Sequence, residues 1–103
     1  MAICMIGYDL HPSSKGEGEY ELFAAIEGIG SGYWDCLEST WLVITERTPT
    51  EIRDELKLYL KQGDRLLVVR CGDDADWLGF TVDCQTWLED NFGRHPDPAT
   101  PAA

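Results

Sequence analysis

The sequence predicts an α+β domain with the element order β-α-β-β-α-β, followed by one more short helix. Three observations carry this. Residues 2–10, 40–45 and 66–71 are short runs of β-forming residues that are apolar on both faces. Thr48-Pro49-Thr50-Glu51 has the residues of a helix N-terminus, with an N-cap, a first-turn proline and a capping-box glutamate. Between the first two runs lies an amphipathic stretch closed by glycines.

The first strand, Ala-Ile-Cys-Met-Ile-Gly-Tyr-Asp-Leu, alternates Ile3, Met5, Gly7 and Asp9 on one face with Cys4, Ile6, Tyr8 and Leu10 on the other. Both faces need cover, and the lone carboxylate of Asp9 stands at the strand's mouth. A polar loop, His11 to Gly16, leads to a helix over about 18–29 with Leu22, Ile26 and Ile29 at helical spacing and Phe23 alongside. Gly28, Gly30 and Gly32 end it. Residues 33–37 then read as a short strand whose charge, Asp35, places it at an edge. Residues 40–45 form a central strand, doubly apolar.

The capping box opens a second helix that carries Ile52, Leu56, Tyr59 and Leu60 on one face and ends at Gly63. Leu66-Leu67-Val68-Val69-Arg70-Cys71 makes the fourth strand. Connection rules then favour a ferredoxin-like antiparallel sheet of order 4-1-3-2, with both helices on one face. Beyond it come an acidic loop over 73–76, an aromatic patch over 77–80, and a helix from Thr81 to about Phe92 with Cys84, Trp87, Leu88 and Phe92 as its apolar stripe. The expected organisation is one domain over 1–92 and a disordered proline-containing tail over 93–103.

Composition excludes several function classes. Eight Lys and Arg against nineteen Asp and Glu give a net charge of −11, the reverse of a phosphate-backbone binder, so unaided nucleic-acid binding is disfavoured. Cys4, Cys36, Cys71 and Cys84 have no paired metal or redox spacing and read as reduced thiols. No run approaches the roughly 20 apolar residues of a membrane span, and the N-terminus lacks a basic leader region, so a cytoplasmic location is expected. The segment 74–79 departs from a calcium loop, with Leu78 at a ligand position and Gln85 where the bidentate Glu belongs. Arg53, Lys57 and Lys61 recur on the second helix but interleave with Glu51, Asp54 and Glu55, the pattern of a solvated, ion-paired face. Trp34, Trp41, Trp77 and Trp87 lack interleaved cations and read as packing residues.

Ile6-Gly7-Tyr8-Asp9-Leu10, Leu37-Glu38-Ser39-Thr40-Trp41 and Leu66-Leu67-Val68-Val69, in that order, resemble the Cas-two superfamily of small ferredoxin-fold CRISPR-associated proteins, and within it the group often labelled SinR-like. The resemblance covers about residues 3–71. It implies a homodimer in which the strand-one Asp faces its symmetry mate and binds a divalent metal for phosphodiester cleavage. Asp9 is the one residue carried over, as catalytic residue and as ligand to Mg²⁺. The chain departs from the family pattern in lacking basic residues after Asp9, and in its acidity.

Three functions follow as expectations. The first is a Cas-two-like homodimeric binding or adaptor protein with little or no nuclease activity. The second is a magnesium-dependent endonuclease or endoribonuclease using paired Asp9 carboxylates. The third is an acidic inhibitor, of the anti-CRISPR or mobile-element kind, that mimics nucleic acid in a basic protein groove. The expected dimer face holds Ile3, Met5, Trp41 and Val43, on the side of the sheet that the helices leave open.

Overall fold

The computed structural model describes residues 2–93; the expected tail lies, from residue 94 on, outside the described residues. The chain divides into two compact units, Met1–Cys71 and Gly72–Ala103.

In the first unit the expected sheet is present. β1 (Ile3–Asp9), β2 (Gly32–Leu37), β3 (Thr40–Ile44) and β4 (Arg65–Arg70) run antiparallel in the order β2-β3-β1-β4. β1 pairs on one side with β3, Ile6 opposite Trp41, and on the other with β4, Ile6 opposite Val68. The most apolar strand is thus a central one, and β2, with its charge, is an edge. The β2–β3 turn is tight: Ser39 takes φ 64°, and its carbonyl accepts the Tyr8 amide at 3.1 Å, joining the hairpin to β1.

Two helices, α1 (Glu17–Glu27) and α2 (Pro49–Leu56), cover one face. Leu22, Ile26, Ile52 and Leu56 pack there with Cys4 and Ile6 of β1 and Trp41 and Val43 of β3. Burying each large aliphatic side chain contributes roughly 1.5–3 kcal/mol, so this layer dominates the unit's stability. The capping box forms as the sequence predicts: the Glu51 amide donates to Thr48 Oγ1 at 3.1 Å, and the Thr48 amide to Glu51 Oε1 at 2.9 Å. α2 is shorter than expected, because after Leu56 the chain tightens into a 3₁₀ turn over Lys57–Tyr59. That change of pitch turns Tyr59 out to solvent, off the core face assigned to it.

Gly30 follows α1 where two backbones meet. A Cβ there would lie 1.9 Å from the Ile44 carbonyl oxygen, which also accepts the Ser31 amide at 3.0 Å. Only glycine admits that approach.

In the second unit Thr81 caps α3 (Val82–Phe92), its hydroxyl accepting the Cys84 amide at 3.4 Å. Leu88 is buried, and Cys84, Trp87 and Phe92 of the expected stripe are half-buried. The expectation of four reduced cysteines is corrected: Cys36 and Cys84 are disulfide-bonded, and Cys4 and Cys71 are free. No helix among the described residues is long and apolar enough to cross a membrane.

Candidate functional site

Asp9 ends β1 opposite Arg65 of β4, and the two side chains form an ion pair, Nη2 to Oδ2 3.4 Å. The Asp9 side chain is 72% exposed. A guanidinium at that distance opposes a divalent cation on the same carboxylate. Among the described residues no group of three or more His, Cys, Asp or Glu could hold a metal ion. The donor set around Asp9 within this chain therefore does not fit magnesium, and no chemistry is derived through it.

His11, two residues on, is held elsewhere. Its Nδ1 accepts the Ser13 amide at 3.2 Å, and its ring lies where a Cβ on Gly63, at φ +95°, would come within 3.2 Å. Its amide donates to Asp64 at 2.8 Å, and Asp64 also accepts the Ser14 hydroxyl and the Lys61 amide. These groups staple two loops together.

The four dimer-face candidates do not share a face. Ile3 and Met5 pair with Ile44 and Leu42, whereas Trp41 and Val43 pair with Ile6 and Cys4 on the helix-covered side. There Trp41 is 4% exposed and Val43 0%, and Ile3 on the other face is 5% exposed, so none of the three is available to a partner and only Met5 keeps part of its surface. The assignment of Trp41 and Val43 to the open face is corrected. Both parities of β3 are apolar, so only the hydrogen-bonded register fixes which face each residue takes.

Of the basic residues expected to be ion-paired on and beyond α2, Arg53 and Lys57 are, while Lys61 makes no ion pair among the described residues. Arg47 pairs with Glu55 at 2.7 Å, and Asp54 takes Arg53 at 2.7 Å and Lys57 at 3.8 Å. Arg70 donates to the Thr45 and Arg47 carbonyls at 3.0 and 2.6 Å, bracing the strand-to-helix connection. These cations serve the fold.

A different place has the form of a binding site. Tyr33, opposite Val43, lies on the helix side of β2 and is exposed, as are Asp35 and Leu37, while Trp34 of the same strand is buried; a bulge between Trp34 and Leu37 shifts the register, so that Leu37 stands opposite Thr40. Between α1 and β2 lies an open groove of about 320 Å³. Tyr8, Phe23 and Trp41 line its apolar part, and Glu19, Glu27, Asp35 and Glu38 surround them, with Lys15 as the one cation among the described residues of the lining. The rings are in contact, with centroids 5.9 Å apart for Tyr8 and Phe23 and 5.8 Å for Phe23 and Trp41. Trp41 Nε1 donates to the Tyr8 hydroxyl at 3.2 Å. Burial pushes the Tyr8 hydroxyl above the ordinary phenol range; the Trp41 donation works against this, and Glu19, Asp35 and Glu38 add to the rise. The phenol thus keeps its proton at neutral pH.

Sequence reasoning missed this groove, though one signal pointed to it. Residues 15–38 carry six carboxylates and a single Lys, while every other Lys and Arg lies at 47 or beyond. The four groove carboxylates make no ion pair among the described residues, unlike Asp9, Asp54 and Glu55. No protein-family model matches the chain.

Proposed function

We propose that this chain is a Cas-two-like binding or adaptor module that takes a basic protein as its partner and does not cleave nucleic acid. The observation that carries the reading is the Asp9–Arg65 pair: the one carboxylate the resemblance makes catalytic lies exposed beside a guanidinium. The net charge of −11 opposes capture of a polyanionic substrate and favours a cationic partner. The homodimer belongs to this proposal, with Leu67 and Val69 of edge strand β4, 57% and 40% exposed, as apolar surface for a second copy. A monomer by light scattering at micromolar concentration overturns that part.

The test is incubation with single- and double-stranded RNA and DNA at about 0.15 M salt, with and without Mg²⁺ or Mn²⁺. Neither retention in a gel nor cleavage is expected. Cleavage that scales with protein and disappears in Asp9→Asn overturns the reading and restores the magnesium-dependent nuclease. The acidic-inhibitor reading draws on Glu19, Glu27, Asp35 and Glu38, which make no ion pair among the described residues; competition between this protein and nucleic acid for one basic groove separates it from a simple adaptor.

A further inference from the structure

We infer that the groove between α1 and β2 receives an arginine side chain of the basic partner. This rests on the binding-module reading and deepens it by naming the chemistry recognised.

The floor and the rim point to the same ligand for different reasons. Tyr8 and Phe23 present half-buried rings in contact, a surface over which a flat cation is attracted to the π faces. Asp35 and Glu38, near the end of β2 and in the turn after it, and Glu19 and Glu27, each about one turn of α1 from Phe23 and on opposite sides of it, add carboxylates on both sides. Leu37, half exposed at the rim, suits the aliphatic stem of a long side chain. Arginine joins these features: its guanidinium stacks on aromatic faces while its edge donates to carboxylates in a fork, which a compact ammonium does not do.

Among the described residues the groove carboxylates also form no ion pair. The chain's arginines near 47–70 are engaged with Asp9, Asp54, Glu55 and backbone carbonyls. Lys15 is the sole cation among the described residues of the rim and competes with an incoming one. Its removal therefore strengthens binding, an outcome that a site for anions or for a purely apolar segment would reverse or ignore.

The experiment titrates the full chain with an acetylated Gly-Arg-Gly-Arg-Gly amide, followed by amide chemical shifts and calorimetry. Matched peptides carry citrulline, which keeps the shape without the charge, or lysine. Shifts are expected at Tyr8, Phe23 and residues 35–41, with the citrulline peptide bound at least about tenfold more weakly and the lysine peptide weaker than arginine. Asp35→Asn combined with Glu38→Gln should weaken the arginine peptide by roughly 3- to 20-fold. Lys15→Gln should tighten it by about 2- to 3-fold. Phe23→Leu, which keeps apolar volume but removes the ring, should weaken it by roughly 3-fold. Because the rim residues lie outside the core, the Asp35 and Glu38 variants decide the matter even where Phe23→Leu disturbs folding. Equal binding of arginine and citrulline peptides, unchanged affinity in the Asp35/Glu38 variant, or shifts confined to residues 73–76 overturns the groove assignment and leaves the binding-module reading standing. Metal-dependent cleavage lost in Asp9→Asn overturns that reading while leaving the groove assignment intact.

Discussion

The Ser14 hydroxyl lies 2.7 and 2.8 Å from the two carboxylate oxygens of Asp64, fifty residues away, and so ties the loop after β1 to the loop before β4. Asp64 completes the staple by accepting the amides of His11 and Lys61, each at 2.8 Å. Hydrogen bonds to a charged acceptor are worth more than neutral ones, so Asp64→Ala should destabilise the protein by about 2 kcal/mol in urea unfolding. Ser14→Ala, which removes one donor, should cost less than half as much.

The same carboxylate should shape the acid limb of stability. Burial raises the Asp64 pKa, but the Lys61 amide, the Ser14 hydroxyl, the His11 amide and the His11 charge outweigh that and hold it below the usual Asp value. A depressed folded pKa stabilises the native state above the unfolded value of about 3.9, and this contribution is lost as pH falls through the folded value. The difference in stability between wild type and Asp64→Asn should therefore be constant above about pH 5 and shrink below about pH 4. A difference independent of pH from 2 to 6 contradicts this.

Trp41 joins the core to the groove, since its ring is buried while its indole donates to Tyr8. Trp41→Ala should cost about 3–5 kcal/mol, the range for a large aromatic deleted from a packed interior. An unchanged denaturation midpoint would contradict its placement beneath the helices.

Gly30→Ala should destabilise by at least about 2 kcal/mol, because the added carbon meets the Ile44 backbone and not a movable side chain. Gly72→Ala, where a Cβ meets nothing within 4 Å, is the control and should be close to neutral in thermal unfolding.

Thiol counting checks the cysteines. Unfolded but unreduced protein should take up two alkylating groups, at Cys4 and Cys71, and reduced protein four. In the native state burial pushes both thiols up, with Arg70 partly opposing it, so labelling near pH 7 should be slow, and slowest at fully buried Cys4.

The sequence by itself determined what depends on near neighbours. The capping box at Thr48 and Glu51, the cap at Thr81, the strand runs and the edge position of the charged strand β2 are all set by residue types a few positions apart, and connection rules then left one favoured sheet order. The gathering of carboxylates over residues 15–38 was equally legible as composition. Tertiary structure decided what depends on distant pairing. Trp41 and Val43 could have faced either way until their register with Ile6 and Cys4 was fixed, since a one-residue slip exchanges the faces of a strand. The Asp64 staple, the Arg65 partner of Asp9 and the groove left where α1 does not cover β2 each join residues far apart in the chain. No local periodicity records such contacts, because they arise only when the helices settle on the sheet and leave part of it bare.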